Sequence, residues 1–270
     1  MADKLIVLIT GGNTGIGYES VKALYASPQA HIILMGSRSL EKAHIAISTL
    51  KSEVTDSKSE VIPLQIDLED DTSIDNVYKE VESKYGRVDA LVNNAGGSFD
   101  SVIASKPGAA GIREGWNHTY DLNVTSTQVF TTKFAPLLVA SSHPRLLFVT
   151  SGLSSLATAG TFTNKVISGP PPKGWPKPAA LSMLAYRSSK SALNMLMIDW
   201  QRQLENDDAK VFCISPGFLA TNLGGMGAQF LKSRGAGDPS QGGNLIRDVV
   251  QGLRDEDAGK VVNKDGVQPW

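Results

Sequence analysis

What most constrains the fold of this chain is a set of short apolar runs rich in β-branched residues, at Leu5 to Ile9, Ile32 to Met35, Val61 to Ile66, Val88 to Val92, Leu146 to Val149 and Val211 to Ile214. A strand with one wet face alternates apolar and polar residues, whereas a run that is apolar almost throughout belongs to a strand buried on both faces. The segments between the runs have helical character, and strands that alternate with helices are joined by crossovers into a parallel sheet covered on both sides. The sequence therefore predicts an α/β chain built on a doubly wound parallel sheet, with a short last strand around Lys260 to Asn263. At 270 residues, 41% of them hydrophobic, the chain can bury its core as a single domain over 1–270.

In open parallel sheets ligands bind outside the carboxyl ends of the strands, and the unusual residues of this sequence fall there. The first run leads into Thr10-Gly11-Gly12-Asn13-Thr14-Gly15-Ile16-Gly17 and then a helix expected from about Tyr18 to Ala26. Glycines at such a turn let the backbone approach a pyrophosphate, and the helix start offers free N–H groups and a positive dipole end. The second run ends in Ser37-Arg38, a hydroxyl and a guanidinium where a carboxylate would hold the 2′-hydroxyl of NAD. That pair suits a 2′-phosphate, so the expected cofactor is NADP(H). Asp67-Leu68 closes the third run, the Asp placed either to contact the adenine edge or to cap the helix expected from about Asp71.

Asn93-Asn94-Ala95-Gly96-Gly97 closes the fourth run with small residues that tolerate a turn passing close under a cofactor. The loop from Ser98 to Gly115 is expected to wall the substrate pocket, and a helix to run from about Trp116 to Ala140 with Asn123 in its interior. Ser151 follows the fifth run. The proline-rich stretch from Leu153 to Ala180 reads as an insertion, at about 154–180, and Pro216-Gly217-Phe218-Leu219-Ala220-Thr221 follows the sixth run. From Asn222 to Gly243 glycines alternate with Leu223, Met226, Phe230 and Leu231, the composition of a lid with apolar anchors over about 217–243.

Tyr186 and Lys190, four apart in Tyr186-Arg187-Ser188-Ser189-Lys190, share one face of a helix that begins near Leu184. A phenol with a pKa of about 10 becomes a usable acid near neutrality if a fixed cation favours its ionised form, a shift of roughly three units needing about 4 kcal/mol. Reducing a carbonyl places negative charge on oxygen, so a site for it needs a proton donor, a second hydrogen bond and a nearby cation. Tyr186, Ser151 and Lys190 supply the three.

The charge balance, 26 Lys and Arg against 27 Asp and Glu, leaves no basic excess to suggest nucleic acid or an anionic membrane. The amino terminus lacks the length of a signal peptide or the apolar run of a membrane span, and Cys213 is the one cysteine, so the sequence reads as cytoplasmic without an internal disulfide. His31, His44, His118 and His143 show no ligand spacing, so no metal is assigned.

Together these motifs resemble the short-chain dehydrogenase/reductase family: T-G-x-x-x-G-x-G at Thr10 to Gly17, N-N-A-G at Asn93 to Gly96, an Asn at Asn123, Ser151, Y-x-x-x-K at Tyr186 to Lys190, and P-G-x-x-x-T at Pro216 to Thr221. The resemblance implies a Rossmann-type sheet and NADPH-dependent, reversible reduction of a ketone or aldehyde. It implies that Tyr186 exchanges a proton with the substrate oxygen, Ser151 orients that oxygen, and Lys190 holds the nicotinamide ribose while lowering the Tyr pKa. Asn123 would steady a water in the proton relay and Thr221 would meet the carboxamide. The cofactor contacts so implied are Gly11, Asn13, Thr14, Gly15, Ile16, Gly17, Ser37, Arg38, Asp67, Leu68, Asn94, Ala95, Gly96, Asn123, Tyr186, Lys190, Pro216, Gly217 and Thr221. The long gap from Ser151 to Tyr186 is similar to that of monomeric carbonyl reductases. Phe162, Val166, Ile167 and Trp175 of that insertion are expected to cover the spare apolar face of the Tyr186 helix, which leans the reading slightly toward a monomer over a homodimer or tetramer paired through that helix. Phe162, Trp175, Phe218 and Phe230 favour an apolar or aromatic small-molecule substrate. A non-redox cyclase or lyase and an NADP-binding sensor on the same fold stay open as alternatives.

Overall fold

The apolar runs form strands in register, and the segments between them form helices. The computed structural model describes residues 4–106, 108–162, 169–175, 177 and 183–270. In chain order the elements are β1 (Leu5–Ile9), α1 (Gly15–Tyr25), β2 (His31–Ser37), α2 (Leu40–Glu53), β3 (Glu60–Gln65), α3 (Asp71–Tyr85), β4 (Ala90–Asn93), α4 (Asp100–Ser105), α5 (Ala109–Tyr120), a π turn (Asp121–Thr125) and α6 (Ser126–Val139). They continue with β5 (Arg145–Val149), α7 (Leu156–Gly160), α8 (Leu184–Gln203), β6 (Lys210–Ile214), α9 (Ala228–Ser233), α10 (Ser240–Val250), β7 (Val261–Asn263) and β8 (Gly266–Gln268).

The sheet runs β3-β2-β1-β4-β5-β6-β7-β8, parallel except for β8. Val7 of β1 lies beside Ile33 on one side and Ala90 on the other, so the order reverses at the β1/β4 seam, the place at which open parallel sheets bind ligands. Alternate strand residues feed two cores. Ile6 and Leu8 face Phe130, Phe134, Leu193, Met197 and Trp200, carried by α6 and α8. Val7 and Ile9 face Val21, Leu24, Ile47, Leu245 and Val249, carried by α1, α2 and α10.

Three local expectations are corrected. The stretch from Ser98 to Gly115 is not an open loop but holds α4 and most of α5, so the helix expected from Trp116 begins at Ala109. Gly111 and Gly115 hide it from the sequence, yet a Cβ there would meet the Lys106 carbonyl oxygen at 1.9 Å and the Ile103 side chain at 2.6 Å, so close packing requires them. The lid expected over 217–243 runs into α10: a Cβ at Gly243 would lie 2.4 Å from the backbone of Glu19, so this glycine serves the contact between α1 and α10. Finally, β8 pairs antiparallel with β7 after a turn and adds an eighth strand that the apolar runs do not announce.

The covering of α8 by the insertion is not borne out at Phe162 and Trp175, which stand in solvent, Trp175 at 87%. Val166 and Ile167 lie outside the described residues. Met195, 63% exposed, and Ile198 leave α8 with an exposed apolar face. A self-complementary contact through that face is the expected result. Light scattering at micromolar concentration should give at least a dimer mass that Met195→Glu reduces, and a monomer mass for the unaltered protein would contradict it.

Candidate active site

β1 delivers the chain into a glycine turn held open by backbone geometry. Gly11 and Gly15 have φ of 63° and 55°, conformations that cost other residues strain. Thr14, extended at the start of α1, makes no capping hydrogen bond with its side chain, so the N–H groups of the first turn stay available. A Cβ at Gly17 would lie 2.2 Å from the Gly11 carbonyl oxygen and 2.5 Å from Asn94 Nδ2. The turn is clasped from β4: Asn94 Nδ2 donates to Thr10 O at 2.8 Å, and Thr10 Oγ1 accepts from the backbone N–H groups of Asn94 and Ala95, both at 3.0 Å. Thr221 comes over the turn from the segment after β6, its Cγ2 lying 3.7 Å from a Cβ at Gly15. Pro216 and Gly217 begin that segment, Gly217 with φ 98°, and its far end is tied down by Ala220 N donating to Gly237 O at 2.9 Å.

On the other side of the seam, Tyr186 and Lys190 of α8 are buried beneath the loop that holds Ser151. The Ser151 side chain lies close enough to the Tyr186 phenol to pull its pKa down. The loop is fixed to α8 by buried polar contacts: Thr150 Oγ1 donates to Asn194 Oδ1 at 2.7 Å, Asn194 Nδ2 to Ser154 Oγ at 3.0 Å, and Ser154 Oγ to Ser151 O at 2.7 Å. Lys190 Nζ donates to Val149 O at 2.8 Å and lies 5.8 Å from the Tyr186 ring centre.

Asn123 does not lie in a regular helix. The π turn between α5 and α6 carries it inward, where Oδ1 accepts from Gly97 N at 2.8 Å and Nδ2 donates to Gly97 O at 2.8 Å and to Ser189 Oγ at 3.0 Å. A Cβ at Gly96 would meet Asn123 Oδ1 at 2.8 Å and Lys190 Nζ at 3.3 Å, so the Asn94–Gly96 turn closes over both side chains.

Burial sets the charge states of Tyr186 and Lys190. It pushes Tyr186 up to about 12 against a smaller lowering by the Ser151 side chain, and brings Lys190 down to about 8. Tyr186 is therefore a neutral phenol at neutral pH, holding a proton to give.

Around the adenosine end the expected residues divide. Arg38 is exposed after β2 and has no hydrogen-bond or ion-pair partner among the described residues, whereas the buried Ser37 hydroxyl already donates to Ser39 O at 3.0 Å. Asp67 does not cap α3; Asp70 does, accepting from Thr72 N at 2.9 Å, while Asp67 Oδ1 accepts from Glu69 N at 3.1 Å. The Leu68 side chain is in the core. A groove between the glycine turn and α2 is lined by Asn13, Thr14, Gly15, Tyr18, Lys42 and Ile45. Lys42 was not singled out by the sequence, although its position four residues after Arg38 was open to view.

The family model for short chain dehydrogenase matches residues 5–162, more than half of the chain. The chain belongs to the short-chain dehydrogenase family. This dehydrogenase is 46% identical over 278 residues to the short-chain dehydrogenase/reductase eupG of a Phoma species, covering 99% of this chain and 98% of that one. It is 43% identical over 277 residues to the short-chain dehydrogenase/reductase tropE of Talaromyces stipitatus, covering 100% and 99%. Its fold is shared with the NADPH-bound carbonyl reductase from chicken fatty liver, with a TM-score of 0.77 at 20% identity, covering 99% of this chain and 100% of the other. The dehydrogenase is thus an oxidoreductase of the alcohol and carbonyl couple. Among its described residues no helix is long and apolar enough to cross a membrane.

Proposed function

We propose that this short-chain dehydrogenase reduces a ketone or aldehyde to an alcohol with NADPH, Tyr186 giving the proton. The observation that carries the reading is the buried Tyr186 phenol with the buried Lys190 ammonium 5.8 Å from its ring centre and the Ser151 side chain beside its hydroxyl. The residues fit a dinucleotide: a Cβ would fill the turn at Gly17, the first turn of α1 keeps free donors, and Arg38 is free to meet a 2′-phosphate. When bound, the nicotinamide supplies the hydride. Ser151 orients the substrate oxygen, Tyr186 releases its proton to that oxygen as charge builds there, and Lys190 stabilises the resulting phenolate. Gly11 to Gly17 and Thr221 hold the cofactor, and Asn123 fixes the turn from Asn94 to Gly97 beneath it. The NADPH in the chicken carbonyl reductase structure supports the choice of cofactor. A panel of apolar and aromatic carbonyl compounds tests the reading: loss of NADPH absorbance with some members supports reduction, and product formed with no NADPH consumed supports a cyclase or lyase. NADPH binding with no turnover across the panel supports a sensor.

Cofactor choice gives a separate expectation. A charge-assisted hydrogen bond of roughly 1.5 to 3 kcal/mol is lost in Arg38→Leu, so NADPH affinity should fall by about one to two decades while NADH is little changed. Equal losses for both cofactors, measured by fluorescence titration, would contradict the assignment.

The charge states set the pH dependence. Reduction needs Tyr186 protonated and Lys190 charged, so its rate should be level below about pH 8 and decline above it as Lys190 loses its proton. Alcohol oxidation needs the phenolate and should speed up as pH rises. A reduction rate that climbs through pH 8 to 10 would contradict these assignments.

A further inference from the structure

The start of α8 is held from another part of the chain, and that contact bears on the acid itself. Met183, the residue before the helix, is left-handed at φ 45° and carries no capping group. The N–H groups that a capping Ser or Asp would satisfy belong to the second and third helical residues, here Ala185 and Tyr186. Both donate to Asp100, Ala185 N to Oδ1 and Tyr186 N to Oδ2, each at 3.1 Å, across 85 and 86 residues of sequence. Asp100 opens α4, a helix with no buried residue, and Ser98 Oγ donates to its Oδ2 at 3.1 Å.

The same short segment reaches Tyr186 by a second route: Gly97 is bound twice by Asn123, Asn123 Nδ2 donates to Ser189 Oγ, and Ser189 Oγ donates to Tyr186 O at 2.8 Å. The peptide of the acid is thus gripped at its N–H by Asp100 and at its carbonyl by Ser189, and both grips return to Gly97–Asp100. The turn at Gly224, in the lid stretch, lies against Ser98, with a Cβ at Gly224 3.8 Å from Ser98 Cβ.

We propose that Asp100 is a positioning residue that sets the phenol of Tyr186, with Ser98 carrying contact from the lid stretch to it. The inference rests on the reading of Tyr186 as proton donor. A bare helix cap would contribute stability and nothing more; a positioning residue alters turnover in molecules that are folded and cofactor-loaded. A displacement of about 1 Å in a reacting group can lower a rate on the order of 10²-fold.

Asp100→Ala should lower kcat by about 10- to 100-fold per NADPH-binding site, with the NADPH dissociation constant and the substrate KM within about threefold of the unaltered enzyme. Asp100→Asn keeps one acceptor oxygen, enough for one of the two N–H groups, and should lower kcat less than Asp100→Ala does, and Ser98→Ala should lower it by a few-fold. If Asp100→Ala fails to fold, Asp100→Asn and Ser98→Ala carry the same comparison. Unchanged kcat per binding site alongside a lower melting temperature would reduce Asp100 to a cap and overturn the proposal. Tyr186→Phe run in parallel separates the two failures: if it keeps the rate, the proton-donor reading falls and the proposal with it, whereas if it loses the rate and Asp100→Ala does not, Asp100 alone is misassigned.

Discussion

Tyr186→Phe should reduce turnover by about 10²- to 10⁴-fold while leaving NADPH affinity within about twofold. The phenol is buried beside Ser151, so removing the oxygen deletes the transferable proton and at most one hydrogen bond while the ring stays in place. The glycine turn is clasped by Thr10 and Asn94, groups that do not touch Tyr186, so the cofactor cradle should stay intact. Loss of one hydrogen bond costs about 0.5 to 1.5 kcal/mol, too little to unfold a domain of this size. Steady-state kinetics with a responsive carbonyl compound, together with NADPH fluorescence, checks both halves. More than about a tenth of the rate surviving would deny Tyr186 the role of acid.

Gly17→Ala should weaken NADPH by about two decades and lower the melting temperature. The added carbon would lie 2.2 Å from Gly11 O and 2.9 Å from Gly11 C, both backbone, and 2.5 Å from Asn94 Nδ2, which is tied to Thr10 O. Overpacking of this kind costs roughly 1 to 3 kcal/mol, and every 1.4 kcal/mol is tenfold in affinity when the displaced atoms form the ligand's own seat. Gly160→Ala is the control, because a Cβ there meets nothing within 4 Å and its φ is not positive. It should leave both measurements unchanged or raise stability slightly. Equal NADPH affinity for Gly17→Ala and Gly160→Ala would mean that the turn does not hold the pyrophosphate.

The sheet, and the strand ends that carry the candidate site residues, were legible because both follow from local pattern: buried strands are apolar throughout, and chemistry gathers at their carboxyl ends. What escaped the sequence was set by partners far along the chain. Asn123 reads as a mediocre residue inside a helix until Gly97 and Ser189 draw it into a π turn. Asp100 reads as one more acidic residue, since nothing local marks a carboxylate that caps a helix 85 residues away. Gly111, Gly115 and Gly243 read as loop formers because helix propensity counts against glycine, whereas their missing side chains admit a neighbouring backbone or side chain. Burial is equally invisible in the spacing: it raises the Tyr186 pKa and lowers that of Lys190, although the sequence shows only that the two are four residues apart.

The most direct test of hydride transfer with Tyr186 as acid is the fate of an isotopic label. NADPH carrying deuterium at the transferable position of its nicotinamide, incubated with a carbonyl compound that elicits NADPH loss, should give an alcohol with one deuterium on the carbinol carbon. The same incubation with Tyr186→Phe should give little or none. A product without deuterium, or deuterated alcohol formed equally well by Tyr186→Phe, would contradict the account.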